Sequence, residues 1–359
     1  MPAYLAALGA SGLVVGLFGS CKDLLDGLYQ YPGGWLADRI GRRRALLLFT
    51  TLATAGYAVY AIAQSWPLVF VGLFGVMAWK SGAFPTTFAV IGDSLPREHR
   101  AIAFSVQSVL VRVPRVIGAP IGGLLIASLG IVGGIRVSLA ATLVLAFVVL
   151  AVQRYGFRED PEVNRHGDSA HIRAIFATMP LSLKKLLAAE CIVRMGEGIA
   201  ASFIVLFVIQ TRHFSAVEYG TLYAVQQAVA IAFYFPGGRI ADMNGRRPLI
   251  ALTFVFFAAF PLAVRLATSF PALIGAFILG GLKEIGEPAR KSLIVDLAAD
   301  HQRGRAVGVY YTIRNLLVFP AGIIGGLLWQ RAPTLPLEVA FVVGAAGTVL
   351  FVRSALRAP

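Results

Sequence analysis

Pro32-Gly33-Gly34-Trp35-Leu36-Ala37-Asp38-Arg39-Ile40-Gly41-Arg42-Arg43 recurs as Pro236-Gly237-Gly238-Arg239-Ile240-Ala241-Asp242-Met243-Asn244-Gly245-Arg246-Arg247, with eight of twelve positions identical at an offset of 204. The match extends outward at almost the same spacing. Lys80 falls on Lys283, Pro85 on Pro288, Asp93 on Asp296, Arg100 on Arg303, and Gly122 to Leu125 on Gly325 to Leu328. A period this long marks a duplicated architecture.

The repeated unit is apolar. The 359 residues are 57% hydrophobic and 14% charged, with a mean hydropathy of +0.75. Soluble domains are about half apolar and about a quarter charged. The unit to count is therefore the membrane span of about 20 residues. Eleven spans are predicted, at 12–36, 45–64, 67–92, 101–127, 137–153, 187–210, 216–240, 249–268, 270–295, 305–329 and 335–352. This gives an all-α integral membrane protein. A bundle over 1–153 and a second over 187–359 are joined by a polar, basic linker over 154–186. The end of that linker, His171 to Leu187, reads as an amphipathic helix lying on the membrane surface. Cys21 and Cys191 lie inside apolar segments and imply no disulfide framework.

A net charge of +14 could point to nucleic acid, but the basic residues sit in short clusters between apolar runs. Nineteen fall in one set of loops and the tail, among them Arg39, Arg42 to Arg44, Arg154, Arg158, Arg239, Arg246 and Arg247. The alternate loops hold four: Arg136, Arg212, Arg265 and Arg331. By the positive-inside rule the first set is cytoplasmic. The expected location is the cell inner (plasma) membrane, multi-pass, with the C-terminus cytoplasmic. Met1 maps onto Val205, near the outer end of the span that opens the second half. We expect roughly twenty residues of a preceding first helix to be missing, and an intact N-terminus that is cytoplasmic.

Gly34 to Arg43 resembles, nearly residue for residue, the signature loop of the major facilitator superfamily, which carries a weaker copy in its second half. The resemblance covers the whole chain in topology. It implies two pseudo-symmetric six-helix bundles, a central cavity, and transport by rocking between two accessible states. It also implies a gating role for Gly34, Asp38, Gly41, Arg42, Arg43, Gly238, Asp242, Gly245, Arg246 and Arg247. The loop has its own physical logic. Glycines permit tight turns and close helix approach, the aspartates can accept from a helix N-terminus, and the arginines suit lipid headgroups.

Nine basic residues remain inside the spans: Lys22, Lys80, Arg112, Arg115, Arg194, Lys283, Arg290, Lys291 and Arg314. Five acids join them away from the span ends: Asp23, Asp26, Glu197, Glu284 and Glu287. A charge at mid-bilayer costs about 2.5–3.5 kcal/mol on insertion scales unless it meets a partner or a cavity. The spans at 45–64, 137–153, 249–268 and 335–352 carry none in their interiors, and in the superfamily these four positions face lipid. The charges gather near one depth, where such transporters bind substrate. Lys22 can reach Asp26, Arg194 can reach Glu197, and Lys283 can reach Glu287 along single helices. Gln226 and Gln227 stand where the first half has Lys22 and Asp23. Arg290 and Lys291, nearer the cytoplasm, read as snorkelling. Asp23, Asp26, Glu197 and Glu284 are the candidate proton carriers, and the excess of cations favours an anionic solute.

Gly118-Ala119-Pro120-Ile121-Gly122-Gly123 resembles the glycine-proline signature of drug and proton antiporters with the proline displaced by one position. It reads equally as a small-residue helix interface. The superfamily's arginine-glutamine-glycine pattern is replaced by Trp79-Lys80-Ser81-Gly82, where Lys80 can stand in for the arginine. The function expected is secondary active transport of a small polar, anionic solute, coupled to protons, in either direction. The alternative is a non-transporting sensor or assembly factor, which would be expected to have lost the cavity charges or the loop. An enzyme is disfavoured: all five histidines lie in loops or at span ends, and no GxSxG or P-loop appears. No cofactor, metal or nucleic acid is expected, and the protein is read as a monomer in the lipid bilayer.

Overall fold

The computed structural model describes residues 1–83, 97–156, 176–244, 246–287, 289–290, 293–294 and 303–356. In chain order the helices are α1 (Pro2–Ala7), α2 (Gly12–Ile40), α3 (Arg42–Ile62), α4 (Trp66–Met77), α5 (Arg97–Tyr155), α6 (Leu181–Ala201), α7 (Phe203–Leu206), α8 (Ala216–Asn244), α9 (Arg246–Leu266), α10 (Phe270–Leu282), α11 (Arg303–Val318), α12 (Ala321–Arg331) and α13 (Leu335–Leu356). Among the described residues there is no strand. Six helical stretches there are long and apolar enough to cross a membrane. α2 and α8, at 29 residues each, are also long enough, but charges in α2 and paired glutamines in α8 dilute their hydropathy.

Within the described residues the predicted spans recur as helical stretches, with three adjustments. Residues 84–92 of one span and 288, 291, 292 and 295 of another lie outside the described residues. The spans 101–127 and 137–153 both belong to α5, which turns at Gly130 with φ 72° and ψ 169°; a glycine takes that conformation without a Cβ clash. α4 continues into a π-helical turn over Ala78–Gly82, and α7 into another over Phe207–Thr211. Such turns are concentrated at functional sites, and the first of them carries Lys80. Finally, α6 starts at Leu181. Its first turns do not form a separate surface helix, because Leu183, Leu186 and Leu187 are buried in the core. The rest of the surface-helix prediction, up to residue 175, falls outside the described residues.

The repeat is visible in three dimensions. Gly33 lies so close to the backbone of Gly82 that a Cβ would clash, and its counterpart Gly237 lies equally close to the Ile285 carbonyl. Each half thus uses the same glycine to bring the helix that carries the repeated loop against the next charged segment. α1 packs on α5 and on α7, and the repeat offset places its counterpart on the π-helical turn that follows α7.

Besides the contact of α1 with α7, the halves meet along three helix pairs: α2 with α11, α2 with α12, and α5 with α8. At the end of the molecule that carries Ser11, Ser215 and Arg331, backbones touch. Gly16 faces the Gly322 carbonyl, Gly326 faces Leu13, Gly123 faces Ala216, and Gly220 faces Ala119. The Ile323 N–H donates to Ser20 Oγ at 2.9 Å across the same seam. The displaced glycine-proline segment is therefore, at Ala119 and Gly123, a close-packed helix interface. α3, α9, α13 and the second part of α5 expose Leu48, Leu52, Val144, Phe147, Leu252, Val255, Val342 and Val349, as lipid-facing helices do.

In the second half the apolar core has two clusters. One contains Leu183, Ile250, Phe254 and Phe257, the other Ile199, Phe207, Phe260 and Phe277. Lys283 Nζ sits over Phe257 at 4.9 Å and Phe260 at 5.4 Å, so the charged layer lies where the two clusters meet.

Candidate functional site

The charges form a connected network centred on α6. Lys283 donates to Glu197 Oε1 at 2.6 Å, and Arg194 donates to Glu197 Oε2 at 2.6 Å. Arg194 also approaches Glu190 at 3.7 Å. Glu190 is fully buried and gathers two more cations, Arg314 at 3.1 Å and Arg290 at 3.4 Å, while the Tyr310 hydroxyl donates to it at 2.6 Å. Removing one partner from a buried set of this kind costs about 3–5 kcal/mol, because a charge is then left uncompensated.

Arg112 joins the two halves. Its guanidinium leaves α5 and donates to Gln227 at 3.1 Å, to the Tyr234 hydroxyl at 2.8 Å, to Glu284 at 3.1 Å and to Glu287 at 3.2 Å. It also lies 5.0 Å above the Tyr234 ring, whose hydroxyl donates to Glu287. The three charged side chains are only 12%, 15% and 18% exposed, so this cluster is shielded from bulk water.

A cavity of about 300 Å³ opens beside it. Its walls include Arg112, Arg115, Glu197, Gln226, Gln227, Lys283 and Glu284, with Tyr219 and Tyr223. Gln226 donates to the Gly280 carbonyl at 3.3 Å. Arg115 is exposed, and among the described residues it has no hydrogen bond or ion pair.

The first-half charges are looser. Lys22 pairs with Asp23 at 3.6 Å, and Lys80 stands 3.9 Å from Asp26, whose other oxygen accepts from Ser81. The anticipated Lys22–Asp26 pair is thus replaced by two others, since Lys80 reaches Asp26 from the neighbouring π-helical turn. Similarly, Lys283 pairs with Glu197 on α6, and Glu287 accepts from Arg112 and Tyr234. Of the three pairs expected along single helices, Arg194 with Glu197 forms.

Arg290 does not snorkel: it is 2% exposed and held by Glu190. Lys291 lies outside the described residues. In the loop, Gly41 turns the chain between α2 and α3 with φ 91°. Arg43 leaves the headgroup position expected of it and donates to the Gln153 and Arg154 carbonyls at the end of α5, a favourable place for a cation. Arg42 also has a partner. Arg247 is half-buried, whereas the surroundings of Gly34, Asp38, Gly238, Asp242, Gly245 and Arg246 lie outside the described residues.

Glu190, Tyr234 and Tyr310 were not anticipated. Glu190 stands one turn before Arg194, a spacing that marks an ion pair, but it lies close enough to the predicted span end to read as an interfacial residue. The two tyrosines read as core aromatics, and nothing in one sequence separates a hydrogen-bonded phenol from an apolar ring. Among the described residues no group of three His, Cys, Asp or Glu side chains could hold a metal ion.

Residues 1–188 and 186–358 each match the family profile described as Major Facilitator Superfamily. The chain belongs to that superfamily. An uncharacterised MFS-type transporter of Methanocaldococcus jannaschii is 21% identical over 96% of this chain and 85% of its own length. A multi-drug resistance efflux pump PmrA homolog of Lactococcus lactis is 24% identical over 99% and 90%. The crystal structure of a POT family transporter in complex with a thioalcohol-conjugated peptide superposes with a TM-score of 0.78 at 12% identity, covering 97% of this chain and 88% of that one. The protein is thus a multi-pass membrane protein of a transporter superfamily, and its kinship is with carriers of small molecules rather than with enzymes.

Proposed function

We propose that this protein moves a small polar, anionic solute across the membrane by alternating access, coupled to protons. The observation that carries the reading is Arg112. It is a first-half cation buried among second-half carboxylates, on the wall of a cavity between the halves. A solute anion bound in the cavity beside Arg112 would shift the electrostatic balance of the tie between α5 and α8, which gives ligand binding a direct route to the rocking motion. In this reading 1–153 and 187–359 are the rocking bundles and 154–186 is the cytoplasmic linker. The glycine seam over Gly16, Gly322 and Gly123 closes the outer end. The loop residues around Asp38 and Asp242 latch the inner one.

Glu284 and Glu287 support proton coupling. Both carboxylates converge on one guanidinium nitrogen, and a carboxylate that Arg112 releases as the tie opens is placed to take up a proton. Glu197, gripped by Lys283 and Arg194, is less suited, and Asp23 and Asp26 stay with their lysines. Export is favoured by the efflux pump among the relatives. The protein is read as a monomer in the inner membrane.

Counterflow in proteoliposomes tests the proposal. Vesicles preloaded with an anionic solute should take up its labelled form, faster when a pH gradient is imposed. Binding without exchange would instead mark a sensor, and exchange of cations alone would refute the anion reading.

A further inference from the structure

The cavity walls carry three cations and two acids, and only one of these charges is left without a partner among the described residues. Arg112 is held by Glu284 and Glu287, and Lys283 is held by Glu197. Arg115 lies one helical turn beyond Arg112, so both guanidinium groups approach the cavity from α5. It is exposed to the cavity and has no described ion-pair partner. The planar fork of arginine matches a carboxylate with two parallel hydrogen bonds.

We propose that the cavity takes a compact monovalent anion, its carboxylate or equivalent oxyanion on Arg115 and its polar body against Tyr219, Tyr223 and Gln226. The proposal rests on the anion reading above and narrows it to ligands of one negative charge. A second anionic group would have to displace Arg112 or Lys283 from carboxylates that already hold them in shielded ion pairs. A cationic ligand finds Glu197 and Glu284 already engaged and Arg115 opposing it. A volume of about 300 Å³ is at the small end of ligand pockets, which suits a compact ligand.

The test is a thermal-shift screen, followed by calorimetry, on the full chain in nanodiscs. The panel sets compact monocarboxylates beside their amides, the dicarboxylates of matching length and the corresponding amines. Stabilisation should concentrate among the monocarboxylates. Arg115→Gln should weaken their binding about tenfold or more, as expected for losing a charge-assisted pair, while Arg115→Lys should retain a larger share. The unliganded melting temperature of each variant separates lost binding from lost folding. Dicarboxylates that bind best and depend on Arg115 would overturn the single-charge proposal and leave the anion reading intact. Preference for amines, with Arg115→Gln without effect, would overturn both. Binding of monocarboxylates unaffected by Arg115→Gln, or no response across the panel, would also overturn the proposal.

Discussion

In the second half, every described intramembrane acid is gripped: Glu190 by three arginines and a phenol, Glu197 by Lys283 and Arg194, Glu284 and Glu287 by Arg112. In the first half, Lys22 and Asp23 meet at 3.6 Å with 40% and 27% of their side chains exposed, and Lys80 stands 3.9 Å from Asp26 with 53% exposed. The same scaffold therefore carries two kinds of electrostatics. Backbone crossings such as Gly33 on Gly82 and Gly237 on Ile285 are retained, while the side chains at matching depths have diverged. Duplication fixes the packing, and the chemistry that distinguishes the halves is added on top of it. The second half holds its acids in close ion pairs, and the first half holds its lysines at longer distances and in greater exposure.

The sharpest way to break this contrast is at the hub of the second-half network. Glu190→Gln leaves Arg194, Arg290 and Arg314 facing one another in a buried site. It should destabilise the protein by about 3–5 kcal/mol, read as a large fall in the detergent melting temperature or in the folded fraction. A melting temperature close to that of the unsubstituted protein would remove the distinction between the two halves. The seam between the halves gives a smaller effect. A Cβ at Gly322 would meet the Gly16 carbonyl, and forcing extra carbons into a packed contact costs about 1–3 kcal/mol. Gly322→Val should therefore open the Ser11 end. A cysteine placed at the buried Val15, in a background lacking Cys21 and Cys191, should become reactive to a membrane-impermeant thiol reagent. Unchanged labelling would show that the seam does not close that end. The smallest effect belongs to the exposed first-half pairs. Lys22→Gln and Lys80→Gln should each change stability by about 1 kcal/mol or less, as pairs made by exposed lysines do, whereas Lys283→Gln, which removes a buried lysine, should cost more. Equal losses at Lys80 and Lys283 would mean that the halves are electrostatically alike.

Much of this arrangement was legible in the sequence, for reasons that differ from part to part. The repeated loop and the apolar runs follow from backbone and solvation requirements, which one sequence displays directly, and the described parts of the predicted spans are helical. Charged residues are costly facing lipid, and the four spans without interior charges (α3, α9, α13 and the second part of α5) expose apolar side chains such as Leu48, Leu252, Val342 and Phe147. Which charges pair was less visible. Spacing along one helix proposes i, i+3 and i, i+4 partners, yet Lys80 on Asp26, Lys283 on Glu197 and Arg112 on Glu284 are tertiary contacts between helices. Arg290 shows the same limit, since its depth suggested snorkelling until Glu190 supplied a buried counter-charge. Tyr234 and Tyr310 carried no advance signal, because their role depends on where one hydroxyl points.

The account turns on Arg112 as the tie that solute binding loosens, and one experiment addresses it directly. Counterflow of a labelled compact monocarboxylate should be measured in proteoliposomes containing the unsubstituted protein or Arg112→Gln, with melting temperatures recorded alongside. Exchange should be present in the first and reduced about tenfold or more in the second, in line with the loss of a charge-assisted contact, while Arg112→Gln remains folded. Full exchange by a folded Arg112→Gln protein would contradict the claim that this arginine couples the solute to the two halves.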